Sequence, residues 1–199
     1  MAIKAAVMVL LHISLRLAQP PTLDIGGQAR AEVNELNWRL LASSSATETL
    51  RRWCADHRLA AAAAIRAIRV RGRDAAPSPW VLGLLRVRGA SQVRYRRVEL
   101  ACGAHVLSRA ENWYVPGRLG VEMNRRLETT QAPFGAVVSP LGVHRRTLEV
   151  QIPPPSTADV VLRHVAVLTT AAGVPFSVVV ERYTREVLAA PPPVTAPRR

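Results

Sequence analysis

The sequence predicts a single α+β domain in which early helices cover one face of a roughly six-stranded antiparallel sheet, an ordinary size for one domain. Three observations predict it. Helical periodicity is concentrated before residue 58 and in one later segment, two-residue alternation dominates from residue 65, and short Gly-containing turns join successive alternating runs.

In chain order, residues 29–41 place Val33, Leu36, Trp38, Leu40 and Leu41 on a helical apolar stripe. Ser45-Ala46-Thr47-Glu48 then reads as a capping box, and Leu50, Trp53 and Cys54 give the helix it opens, residues 46–57, a buried side. The free N–H groups at that helix start favour an anion. Residues 65–72, 92–102 and 105–116 alternate apolar with polar side chains, and Cys102-Gly103-Ala104-His105 makes a tight connection between the last two. Residues 120–130 return to helical character. Three further strand segments are expected, AVVSPLG (136–142), RRTLEVQI (145–152) and VVLRHVAVLTT (160–170). A last strand, PFSVVVERYTREVL (175–188), follows the turn Ala171-Ala172-Gly173.

Composition bounds the function. The chain has 199 residues, 49% of them hydrophobic, which suffices for one substantial core. Lys and Arg number 27 against 14 acidic residues, a net charge of +13, and every basic residue except Lys4 is Arg. Arginine grips carboxylates and phosphates through a two-pronged fork, so an anionic partner is expected. The arginines are spread through strands and loops with no recognition helix or aromatic RNA-binding signature, which places nucleic-acid binding third among functions. His12, His57, His105, His144 and His164 are scattered, and Cys54 and Cys102 form no metal-ligand spacing. No metal and no cofactor are expected. Two buried thiols are expected in preference to one bridge.

The first 18 residues, a basic Lys4 followed by an apolar run from Ala5 to Leu11, read as a secretory signal peptide, with His12 and Arg16 as the features that fit least. The alternative is a cytoplasmic protein. The apolar run is too short to span a bilayer. The domain is expected over 29–188, with IPPPSTAD (152–159) as an internal loop and 189–199 as a Pro- and Arg-rich tail. A monomer is expected.

Two charges interrupt apolar strand patterns. In Arg96-Arg97 adjacent side chains point to opposite faces, so one is directed toward the covered side, and Glu181 follows Val178-Val179-Val180. Either they are solvated charges paired across the sheet, or they face an apolar cavity suited to a small aromatic or cyclic carboxylic acid. In TTQAPFG (129–135), Pro133 and Gly135 punctuate a helix end, and Gly135 also lets a small anion approach the main chain.

Ser45-Ala46-Thr47 opening a helix, RRVELACG (96–103), LSRAENWYVP (107–116), APFG (132–135) and GVPFSVVVERY (173–183) occur in an order that resembles the chorismate–pyruvate lyase family and its relatives, the ligand-sensing domains of winged-helix bacterial regulators. The resemblance spans most of the chain from about Ser43 to Tyr183. It implies a six-stranded antiparallel sheet and a ligand enclosed under helical flaps. For the lyase it implies elimination of pyruvate from chorismate to leave 4-hydroxybenzoate, a ubiquinone precursor, without cofactor. Carried across, it implies that Arg97 holds the ligand's ionic end, that Glu181 lies at the ring hydroxyl, where it either accepts a proton or orients the ring, and that the N–H groups of Ala46 and Phe134, with Gly135 beside them, bind the carboxylate. Arg109 matches an arginine near the entrance. The chain departs from the lyases at Ala136, where they carry a basic residue, and in the longer Glu111-Asn112-Trp113-Tyr114 segment. The alternative is therefore a non-catalytic protein of this fold that senses or carries a small aromatic acid.

Overall fold

The structure, a computed structural model, describes residues 25–72, 74–153 and 159–188. The expected signal peptide, the C-terminal tail and most of the 152–159 loop lie outside these residues. The elements run α1 (Ile25–Leu41), α2 (Ala46–Asp56), β1 (Ile65–Arg69), α3 (Pro79–Leu85), β2 (Arg94–Cys102), β3 (His105–Tyr114), α4 (Val121–Thr129), α5 (Phe134–Val138), β4 (His144–Gln151), β5 (Val160–Thr169) and β6 (Pro175–Thr184). The strands form one sheet in the order β1-β2-β3-β6-β5-β4, and every neighbouring pair is antiparallel. The fold is therefore the α+β single domain with a six-stranded antiparallel sheet that the sequence predicts.

The helix starts follow local chemistry. Ser45 caps α2 through a 3.2 Å hydrogen bond from the Glu48 N–H to Oγ, and Leu50, Trp53 and Cys54 of α2 are buried. The Trp53 indole N–H reaches the Val187 carbonyl at 2.9 Å and ties α2 to the chain beyond β6. In α1, Val33, Leu36 and Leu40 are buried while Trp38 is 71% exposed. Their spacing of three and four puts the buried trio on one face, and Trp38, two positions from Leu36, falls on the far side. The β2–β3 connection turns at Gly103, whose φ of 57° lies in the left-handed region and whose Cβ would stand 2.8 Å from that of Ala60.

The structure corrects the sequence reading in three places. AVVSPLG is no strand: α5 and a short 3-10 turn occupy it, with Val137 and Val138 buried against Phe134, Leu168 and Phe176. Helix α3 was not expected at all. Ser78 caps it, Pro79 begins it, and its Val81 and Leu85 pack with Val165, Val167, Val178 and Val180. Helices thus lie on both faces of the sheet, which explains why β5 and β6 read as nearly continuous apolar runs. Finally, Cys54 and Cys102 form a disulfide across 48 residues instead of remaining as two thiols. Burial of α2 against the end of β2 brings their Cα atoms to 6.5 Å, within bridging reach.

Candidate functional site

A cavity of about 110 Å³ lies between the sheet and the starts of α2 and α5. Its floor is set by strand parity. Val98 and Leu100 from β2, Ala110 and Asn112 from β3, Val179 and Glu181 from β6, and Leu168 from β5 all point to it, and Arg145 of β4 closes one side. The roof is Ser44-Ser45-Ala46-Thr47 and Phe134-Gly135. At Gly135 a Cβ would meet Thr47 Oγ1 at 3.0 Å and Ser45 Oγ at 3.2 Å, so glycine permits the close approach of the two helix starts. The N–H groups of Ala46, Thr47, Phe134 and Gly135 have no acceptor among the described residues.

The charged centre of the floor is a pair. Arg145 Nη2 lies 2.6 Å from Glu181 Oε2, with side chains 3% and 8% exposed. Arg145 belongs to β4 and Glu181 to β6, so the arginine extends over the intervening β5, whose small Ala166 shares that face. The Tyr183 hydroxyl donates to the same Oε2 at 2.9 Å. Arg145 Nε is buried without a partner among the described residues. Burial works against the Arg145 charge, but Glu181 and then Tyr183 outweigh it and its pKa is raised. Tyr183, wholly buried, is held well above the usual phenol range, first by burial and then by Glu181, and remains a donor. His164 is Glu181's cross-strand neighbour. Its Nε2 donates to Asn37 Oδ1 at 2.8 Å, and its Nδ1 is buried without a partner. Burial, reinforced by Arg145 and opposed by Glu181, pushes the imidazole down to about 4 and keeps it neutral.

Of the residues implied by the sequence, Ala46, Phe134, Gly135 and Glu181 line this cavity. Arg97 and Arg109 do not. Along β2 the cavity face carries Val98 and Leu100, so alternation puts Arg96 on that side and Arg97 on the other, opposite Glu111. Arg109 likewise shares the far face with Glu99 and is engaged by Glu99 at 3.3 Å and by Asp159. Glu111 in turn holds Tyr95 at 2.6 Å and pairs with Arg182. Arg97 and Glu181 therefore cannot share a ligand. Arg145 and Asn112 were missed. The cue for Arg145 was the one already used for Arg96-Arg97: in Arg145-Arg146, adjacent arginines on a strand, one had to turn inward.

Among the described residues no group of His, Cys, Asp and Glu could hold a metal ion, and no helix is long and apolar enough to cross a membrane.

No family model matches the chain. Among solved structures, PhnF from Mycobacterium smegmatis is similar with a TM-score of 0.50 and 15% identity, covering 77% of this chain and 69% of that one. The effector domain of the same protein gives a TM-score of 0.47 at 13% identity over 62% of this chain and 82% of that one. A GntR-family transcriptional regulator from Bacillus cereus gives 0.43 at 13% identity over 66% and 99%. The likeness to PhnF speaks to fold alone. In sequence, the chain is 40% identical over 192 residues to the uncharacterized protein y4mC of Sinorhizobium fredii, covering 86% of this chain and 81% of that one. The chain belongs to the family of that protein.

Proposed function

We propose that the protein is a non-catalytic binding protein for a small carboxylic acid of at most one ring, held in the cavity between α2, α5 and the sheet. One observation carries the reading: a buried Arg145–Glu181 pair stands on a floor that is apolar apart from Asn112, beneath a roof of helix starts whose N–H groups have no acceptor among the described residues. Arg145 Nη2 is engaged by Glu181, while Nη1 has no partner among the described residues and is the prong offered to a carboxylate. Glu181 accepts both of its hydrogen bonds on Oε2, which leaves Oε1 for a ligand hydroxyl. Phe134 and Leu168 supply the apolar walls.

Size favours the smaller ligands. The cavity of about 110 Å³ is smaller than the roughly 150 Å³ cavity that accommodates benzene, and well below the roughly 300 Å³ where drug-sized pockets begin. A hydroxybenzoate enters with slight widening of the roof, whereas the bulkier chorismate, with its ring and enolpyruvyl arm, requires the helix starts to separate. The similarity in fold to PhnF, a protein with an effector domain, supports sensing over turnover. The Cys54–Cys102 bridge and the apolar N-terminal run support an extracytoplasmic location, since disulfides persist in oxidising compartments.

The test is calorimetric titration with 4-hydroxybenzoate and with smaller carboxylates, alongside incubation with chorismate and assay for pyruvate. Saturable binding without pyruvate release is expected. Pyruvate release abolished in Glu181→Gln would overturn the reading in favour of a lyase that uses Glu181 as proton acceptor, and absence of any carboxylate binding would remove both.

A further inference from the structure

Arg96 is a buried cation without a counter-ion among the described residues. It is 2% exposed, it donates one long hydrogen bond, 3.3 Å from Nη2 to the Ala132 carbonyl, and its Nε and Nη1 have no partner among the described residues. Among the described residues no carboxylate pairs with it. Its electrostatic neighbour is a second cation, Arg69, which together with burial, the larger influence, pulls the guanidinium down to about 10 against a small opposing contribution from Tyr114. Burying an ion without a partner is strongly unfavourable, and a single long bond to a carbonyl does not offset it.

Arg96 lines a recess of about 320 Å³ at the end of β1, together with Arg69, Arg71 and Arg97. The recess shares no residue with the cavity under α2 and α5. Arg69 and Arg71 are exposed and have no ion-pair partner among the described residues, and Asp74 is the one carboxylate on the rim. Among the described residues, four guanidinium groups against one carboxylate leave a local excess of positive charge. From this geometry we infer that the recess is a second anion site, which takes a phosphate group through Arg96, Arg69 and Arg71. The tetrahedral dianion suits it because several guanidinium forks can each meet a pair of its oxygens, whereas one carboxylate satisfies one fork. Nε and Nη1 of Arg96 are shielded from water, so the exposed Arg69 and Arg71 side chains are the parts that move as the anion enters.

The test is phosphate binding by the full chain, followed by ³¹P line width and by thermal shift in about 0.15 M chloride to screen diffuse attraction. Inorganic phosphate and methyl phosphate are run in parallel: equal affinity assigns recognition of the free oxyanion, and tighter methyl phosphate assigns a phosphorylated organic ligand. Saturable binding of one equivalent is expected. Arg96→Met and Arg69→Gln should each weaken it about tenfold or more, the loss of a charge-assisted hydrogen bond. Arg146→Gln, which removes an exposed charge elsewhere, should leave it unchanged. Without phosphate, Arg96→Met should be at least as stable as the parent protein. If Arg96→Met fails to fold, Arg69→Gln, at an exposed side chain, decides. No saturable binding, or equal weakening by Arg146→Gln, overturns the site.

Discussion

Reducing the Cys54–Cys102 bridge should destabilise the protein by an amount that the fold itself sets. The bridge joins α2 to the end of β2 and closes a loop of 48 residues. For a loop of that length the chain-entropy relation gives about 4 kcal/mol of stabilisation near room temperature, exerted mainly through the unfolded chain. In a protein of this size each kcal/mol corresponds to roughly 2–4 °C, so the midpoint of thermal unfolding should fall by roughly 8–16 °C on reduction. The perturbation also reaches the cavity. The residues at the start of α2 form its roof, and the bridge anchors the same helix further along, so carboxylate binding should weaken in parallel. The assay is thermal unfolding followed by circular dichroism with and without a dithiol reductant, with thiols counted by a chromogenic reagent in denaturant. Equal midpoints in the two conditions, with two titratable thiols in both, would refute the pairing and with it the argument for an oxidising compartment.

Other outcomes follow from the same geometry. Arg145→Met strands the Glu181 carboxylate in a buried site and should cost about 3–5 kcal/mol, whereas Arg145→Met combined with Glu181→Leu removes both charges and should recover most of it while abolishing carboxylate binding. Chemical denaturation of the two variants checks this; equal losses would refute a buried pair. Gly135→Ala places a methyl within 3.0 Å of Thr47 Oγ1 and should cost about 1 kcal/mol with weaker ligand binding, since the hydroxyls can turn aside but the helix starts cannot close as far. Titration of the variant with 4-hydroxybenzoate reads the second effect directly. His164 is depressed to about 4 in the folded protein against roughly 6.5 unfolded, so the unfolded chain binds the extra proton across that window. Stability is full above about pH 6.5 and falls by about 3 kcal/mol as pH drops toward 4, and His164→Leu should flatten that limb in unfolding curves measured at each pH.

Local chemistry in the sequence determined much of this fold. Two-residue alternation located β2 and β3, Gly103 located their tight turn, and Ser45 with Glu48 located the start of α2, because each is a consequence of short-range geometry. Glu181 could be picked out because a charge ending a run of three valines in a covered strand needs a partner, and Phe134-Gly135 because a turn of that kind exposes backbone donors. Short-range rules failed where the answer depended on another part of the chain. Residues 136–142 became helical because Val137 and Val138 pack beside Phe134 and Phe176, which no local pattern specifies. The resemblance pointed to Arg97, but along β2 the cavity-side face carries Arg96, and a one-residue shift carries a side chain to the opposite face of a sheet. The partner of Glu181 is Arg145, 36 residues away on the edge strand, and the partner of Cys54 is 48 residues away; the order of strands in the sheet brings the first pair together, and the packing of α2 on the sheet brings the second. Strand pattern and turn chemistry are properties of neighbours in sequence, whereas an ion pair that reaches over an intervening strand is a property of sheet order, and that order is set by which faces can be buried together.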